Sequence, residues 1–195
     1  MIAIRGAGSA IAQELTALLP PEEEICEVPR GGAMPWCADR YLFCAGLLRP
    51  LSMAEQTDCE IAESFLVNAG DVIRACDFVI ESNPNARICV IGSESGFAWS
   101  YDGAYAAAKA ALHRYCETRR LGPGQQLVCV APGIIADCGM TIGRHDRANL
   151  AQLERAHPKG RFLAAAEVAR LVHFCLYVDC GYLSGVVIRM NGGPR

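Results

Sequence analysis

Lysine is nearly missing from this chain: its 195 residues hold two, Lys109 and Lys159, and the other basic side chains are arginines spread without long runs. With a formal net charge of −3, such a surface offers nothing for counterion release from a nucleic-acid backbone, so nucleic acid is not an expected partner. Long apolar runs are missing too. None approaches the ~18 residues needed to span a bilayer, so no membrane partner is expected, and the 52% apolar content reads as material for one sizeable core. The opening MIAIRGAG has no basic n-region, long h-region or small-residue cleavage site, which predicts no signal peptide and a cytoplasmic location. Paired cysteine ligands are the last absence. The eleven cysteines are odd in number, none form C-x-x-C, and Cys44, Cys89, Cys129 and Cys175 fall inside apolar periodic segments. They are expected to be buried reduced thiols, with no disulfide framework and no metal.

What is present is an alternation of short β-rich apolar runs with longer helical patterns, the mark of an α/β fold with parallel strands joined by crossover helices. Strands are predicted at residues 1–5, 25–28, 40–44, 87–91, 127–130 and 186–190. Helices are predicted at 10–19, 61–80, 104–116 and 166–177. In the second helix Ile61, Phe65, Ala69, Val72, Cys76 and Val79 recur at spacings of three and four and define one buried face. Residues 137–162 are polar and weakly periodic, an excursion of the kind that covers active sites, within a single domain of residues 1–195.

Gly6, Gly8, Ser9, Ala10 and Ile11 occupy the first strand-to-helix turn, where glycine lets the backbone approach a phosphate and a helix N-terminus offers free N–H groups. A G-x-G turn alone fits a tight connection as well as a pyrophosphate site. A bulky residue at Gly6 is expected to block the phosphate while leaving the fold intact. Tyr105-Ala-Ala-Ala-Lys109 is the sharpest feature, because i to i+4 puts both side chains on one helix face. With so few lysines, chance supplies about 0.06 such pairs. A lysine held near a phenol lowers the phenol pKa and makes it usable as a general acid or base. Ser93 follows a predicted buried strand twelve residues before Tyr105, with Ser95 as its competitor in I-G-S-E-S-G. Asn68 sits beside the apolar face of the second helix, and by itself reads as an exposed asparagine. Phe97, Trp99 and Tyr101 either line an apolar pocket or pack.

Taken in order, these elements resemble the short-chain dehydrogenase/reductase family over nearly the whole chain. The glycine turn falls on Gly6 to Ala12, the strand-end N-A-G on Cys44-Ala45-Gly46, the helix asparagine on Asn68, the Y-x-x-x-K on Tyr105 and Lys109, and the proline-glycine on Pro132-Gly133. Ala10 and Ala12 replace glycines, Cys44 replaces the asparagine, and residues 20–39 are too short for the usual second strand, helix and third strand. The resemblance implies a doubly wound, Rossmann-type parallel sheet lacking a strand or helix of the adenosine half. It implies a hydride-transferring oxidoreductase on a small carbonyl or alcohol, working as a homodimer or homotetramer. Tyr105 is then the general acid/base, Ser93 orients the substrate oxygen, Lys109 tunes the tyrosine and bonds the nicotinamide ribose, and Asn68 holds a proton-relay water. Cofactor contacts are expected from Gly6, Gly8, Ser9, Ala10, Ile11, Arg30, Ala45, Gly46, Tyr105, Lys109, Pro132, Gly133 and Ile135. Arg30, after the second strand, points to the 2′-phosphate of NADP, whereas Glu27 would select NAD if that strand ends earlier. The rival reading is a non-catalytic nucleotide-sensing or interaction protein on the same fold.

Overall fold

The computed structural model describes residues 1–98 and 100–193, so Trp99 lies outside the described residues. Six strands form one wholly parallel sheet in the order β2-β1-β3-β4-β5-β6. They are β1 (Ile2–Arg5), β2 (Ile25–Val28), β3 (Arg40–Phe43), β4 (Arg87–Ile91), β5 (Gln126–Pro132) and β6 (Val186–Met190). Because β1 lies between β2 and β3, the winding reverses there, and the carboxyl ends of β1 and β3 flank the crevice where open α/β sheets bind ligands.

Alternate strand residues face opposite cores. Ile2, Ile4, Leu42, Cys89, Val128 and Val130 pack beneath α1 (Ala10–Leu18) and α7 (Ala165–Tyr177), meeting Ile11, Leu15, Val168 and Val172. Ala3, Tyr41, Phe43, Ile88, Val90 and Leu127 pack beneath α3 (Asp71–Ser82) and α4 (Gly103–Thr118), meeting Val72, Cys76, Val79 and Leu112. Helices on both faces explain why the central strands read as apolar runs without alternation. All eleven cysteines are free; Cys44, Cys76, Cys89, Cys116, Cys129 and Cys175 are buried, while Cys37 and Cys59 are exposed.

The half of the sheet at β2 is shortened, as the resemblance implied. Residues 29–39 join β2 to β3 with no helix between, and among the described residues no strand lies beyond β2 in the sheet. Arg5, the last residue of β1, anchors this loop. Its guanidinium donates to the Gly32 carbonyl, and to the Asp71 carbonyl at 3.2 Å, with its charge over the Phe43 ring at 5.7 Å. Burial pulls the Arg5 pKa down.

The predicted long helix is interrupted. α2 (Asp58–Phe65) runs into a π-helical turn at Leu66–Gly70 before α3 continues the path. The wider turn inserts about one residue, roughly 100° of helical phase. Downstream Ala69, Val72, Cys76 and Val79 are buried as expected, but upstream it is Ser64 that is buried, and Phe65 is 37% exposed. The excursion also carries unpredicted helices, α5 (Gly139–Ile142) and α6 (Arg147–Ala156), the latter burying only Leu150. Among the described residues no helix is long and apolar enough to cross a membrane.

The phase shift has a measurable consequence. Leu112→Ala, in the closed core of α4, should cost about 2–5 kcal/mol, whereas Phe65→Ala should cost about 1 kcal/mol or less. Urea unfolding of the two variants checks this; equal losses would mean that Phe65 is a core residue after all.

Candidate active site

The carboxyl ends of the parallel strands bring the sequence motifs to one edge. At the end of β1, Gly6 has φ +96°, and a Cβ there would lie 2.5 Å from the Ala45 nitrogen. The turn therefore presses against the backbone that follows β3. A bulky residue at Gly6 would disturb the fold itself, which corrects the expectation that it would leave the fold intact. Gly8 differs: a Cβ there would meet nothing within 4 Å. Ser9 caps α1, its hydroxyl oxygen accepting the Ala12 N–H at 3.2 Å, while the Gln13 N–H closes on the Ser9 carbonyl. Ala10 and Ile11 then present their N–H groups at the positive helix end. The Ile11 side chain points into the α1/α7 core, so only its main chain is available to a ligand. The Ser9 hydroxyl donates to Cys44 Sγ at 3.2 Å, and the thiol donates to the Gly6 carbonyl at 3.2 Å. Burial pushes the Cys44 thiol up to about 11, so it stays protonated and works as a donor that closes the turn.

α4 carries Tyr105 and Lys109, both buried. The helix starts at this point because Asp102 caps it, accepting the Tyr105 N–H at 3.0 Å. The same carboxylate accepts the Arg49 N–H at 2.9 Å and the Gln56 amide at 3.0 Å. Sequence reasoning passed over Asp102, although an aspartate just before an alanine-rich helix is an N-cap signal. Lys109 Nζ donates to the Ile91 carbonyl, the last residue of β4, at 2.8 Å, and lies 5.8 Å from the Tyr105 ring centre. Burial brings the Lys109 ammonium down to about 8. Burial also raises the Tyr105 phenol to about 12, with the neighbouring Ser93 hydroxyl acting the other way. The expected lowering of the phenol by Lys109 is thus absent here, because desolvation of the phenolate outweighs the other influences.

Ser93 is buried just beyond β4, and its hydroxyl oxygen accepts the Ser95 N–H at 3.2 Å. Ser95 therefore supports Ser93 through its main chain. Asn68 sits inside the π-helical turn and is fully buried, which corrects the exposed reading. Its amide donates to the Leu47 carbonyl at 2.8 Å and the Ser64 carbonyl at 2.9 Å, and its oxygen accepts the Leu47 N–H at 3.0 Å. The side chain thereby ties the loop bearing Ala45 and Gly46 to the helical path under α4. Phe97 packs on the His113 ring at 4.6 Å, and the exposed Tyr101 donates to Glu55 at 3.0 Å, so both have partners outside any apolar pocket.

On the far side, Gly133 N–H follows Pro132 and donates to the Met190 carbonyl at 3.0 Å, while Ile135 pairs with Leu163 and buries its side chain. A cavity of about 370 Å³ opens here between Gly133, His157, Lys159, Phe162 and Asn191. α5 reaches back toward β3: a Cβ on Gly46 would lie 2.9 Å from Met140 Cε. Arg30 is exposed in the turn after β2. β2 runs on through Val28, so Glu27 lies within the strand.

A glycine turn at the winding reversal of a parallel sheet thus stands on the same edge as a buried tyrosine and lysine. The family model described as enoyl-(acyl carrier protein) reductase matches residues 38–194. The chain belongs to the short-chain dehydrogenase/reductase family. It is 31% identical over 154 residues to a cyclohexanol dehydrogenase of Rhodococcus sp. (strain TK6), covering 71% of this chain and 57% of that protein. It is 34% identical over 148 residues to the 3-oxoacyl-[acyl-carrier-protein] reductase MabA of Mycobacterium avium, covering 73% of this chain and 57% of that protein. The chain thus spans less than two thirds of either relative. A solved 3-oxoacyl (acyl-carrier-protein) reductase from Agrobacterium tumefaciens C58, with NADP bound, superposes with a TM-score of 0.84 at 19% identity, covering 99% of this chain and 93% of that one. That likeness is one of fold.

Two outcomes follow from this geometry. Gly6→Ala should lower stability by roughly 2–4 kcal/mol, from the positive φ and the Ala45 contact together, as read by urea unfolding; an unchanged midpoint would show that the approach is not needed. Lys109 has a folded pKa of about 8 against an ordinary 10.5, so the folded chain releases this proton first. Between those values the unfolded chain binds the extra proton, and the stability contributed by Lys109 rises with pH. The stability of the parent minus that of Lys109→Met should therefore increase from about pH 7 to about pH 10. A flat or falling difference would place the ammonium in water.

Proposed function

We propose that this protein is an NADP(H)-dependent reductase of small ketones, with Tyr105 as the general acid. The observation that carries the proposal is the convergence of buried Tyr105 and Lys109 with Ser93 at the carboxyl edge of β4, on the same sheet edge as the Gly6 turn. A nicotinamide held at this edge would supply the hydride. Burial keeps the Tyr105 phenol protonated, the form that can donate a proton to a carbonyl oxygen. Ser93 keeps its hydroxyl hydrogen for the site, since Ser95 already donates to its oxygen. Lys109 stands over the end of β4 as a donor for a ribose hydroxyl, and Asn68 keeps the Ala45–Gly46 loop in register with it.

The chain's residues fit the cofactor. Open space above Gly8, the free helix end at Ala10 and Ile11, and the reversal between β1 and β3 make a cradle for the pyrophosphate. Ala45, Gly46, Pro132, Gly133 and the main chain of Ile135 border the remaining length. Arg30, exposed past the end of β2, supports NADP over NAD. The excursion at residues 137–162 is proposed to cover the substrate, because Met140 reaches Gly46 and His157 contacts the C-terminal segment through Asn191. Exposed Phe65, Leu66 and Phe78 support association into a homodimer or homotetramer.

The experiment pairs two variants with NADPH and a ketone panel that includes cyclohexanone and acetoacetyl thioester. Tyr105→Phe should keep NADPH binding and lose about two orders of magnitude in turnover, while Gly8→Val should keep the fold and lose NADPH binding. Parental turnover by Tyr105→Phe would end the proposal and leave the nucleotide-binding, non-catalytic reading in its place.

A further inference from the structure

One more polar side chain lies on the stripe of α4 that carries Tyr105 and Lys109. His113 is the next member of the i, i+4, i+8 series and is 4% exposed. We propose that His113 is the positioning residue for Ser93, its imidazole Nε2 accepting the Ser93 N–H and holding the turn that aims the serine hydroxyl. The inference rests on the reading of Ser93 as the group that orients the substrate oxygen.

The sheet stops supporting this segment just where the ring takes over. Gly92 N–H still donates to the Val130 carbonyl of β5 at 2.8 Å, but the next N–H, that of Ser93, goes to His113 Nε2 at 3.2 Å. The turn is shaped around the ring. A Cβ on Gly92 would lie 2.4 Å from Nε2, and one on Gly96 would lie 2.5 Å from Cε1, so both glycines of I-G-S-E-S-G clear space for the imidazole. Phe97 closes the slot by packing on the ring at 4.6 Å. The outer side of the turn is pinned as well: Glu94 accepts from Arg189 and, at 3.2 Å, from Asn191 Nδ2, and the Arg189 guanidinium lies 4.5 Å over Phe97.

Accepting at Nε2 requires the neutral ring to carry its proton on Nδ1, and that atom is buried with no partner among the described residues. An apolar side chain would fill the same slot without the orphaned donor. The acceptor role explains why a histidine occupies it. Within the turn, the Ser93 N–H and one hydroxyl lone pair are both committed, to His113 and to Ser95 respectively, which leaves the hydroxyl hydrogen available to serve the site. Loss of the ring acceptor frees the first of these restraints and lets the hydroxyl drift from the Tyr105 phenol.

The test uses the whole chain with NADPH and the ketone of the panel that it reduces fastest, in His113→Leu, His113→Gln, Ser93→Ala and Ser93→Ala/His113→Leu. His113→Leu should lower kcat by about 10-fold to 100-fold, the scale of a misplaced reacting group, with NADPH affinity unchanged within about twofold. His113→Gln places an amide oxygen near Nε2 and should restore most of the rate. The double variant should be no slower than Ser93→Ala, because both act through one hydroxyl. Parental turnover by His113→Leu beside a slow Ser93→Ala would overturn the positioning role alone. A glutamine variant as slow as the leucine variant, or additive losses in the double variant, would do the same. Parental turnover by Ser93→Ala would instead remove the serine reading, and this inference with it. Should the leucine variant not fold, nitrogen-15 NMR of the parent decides: an unprotonated His113 Nε2 and a Ser93 amide protected from exchange support the role, and a protonated Nε2 overturns it.

Discussion

The contact between the Gly6 turn and the backbone of Cys44 and Ala45 is the constraint on which the rest of the site depends. The winding of the sheet reverses between β1 and β3, so the segments leaving these adjacent strands emerge side by side. With a Cβ at Gly6 they could not approach as they do. The thiol of Cys44 then closes the turn by donating to the Gly6 carbonyl, and Ser9 completes the link from that thiol to the cap of α1. Position, helix end and strand end are thus fixed by one small set of short-range contacts. The asparagine expected at Cys44 is replaced by a protonated thiol that still donates.

Around that contact the site is built from buried polar groups whose partners come from distant parts of the chain. Asp102 gathers the start of α4, the Arg49 main chain and Gln56, and Asn68 gathers Leu47 and Ser64. Lys109 finds its acceptor at the last residue of β4. Such groups cost free energy when unpaired in the interior, and pairing them specifies one arrangement of loops over the sheet. The same burial acts on the titrating groups in opposite senses, raising the phenol of Tyr105 and lowering the ammonium of Lys109, because each charged form loses its hydration.

The shortened adenosine half shows how a fold loses elements without opening its core. Where a helix and strand would have covered this end, the loop at residues 29–39 lies against Arg5, whose guanidinium is shared between Gly32, the start of α3 and the Phe43 ring. Met34 and Ala38 bury themselves in the same core as Tyr41 and Phe43. One cation and a few apolar side chains replace a layer of secondary structure.

The sequence by itself determined what local periodicity and covalent spacing determine. Residues 25–28, 87–91 and 186–190 are strands as read, since short β-rich, mainly apolar runs alternating with helical patterns mark parallel strands, and Tyr105 and Lys109 share a face because any α-helix puts i and i+4 together. The missing adenosine elements were legible because too few residues were available to build them. Other features belong to the tertiary structure. The π-helical turn changed the phase of a helix and turned Phe65 outward, which no count of threes and fours contains. Whether Asn68 was buried, which serine faced Tyr105, and where His113 found its partner depended on strands and helices remote in the chain. Protonation also followed packing: a Y-x-x-x-K spacing speaks of a lowered phenol, but the depth at which α4 sits decides how much water the phenolate would lose, and that depth is set by the whole sheet.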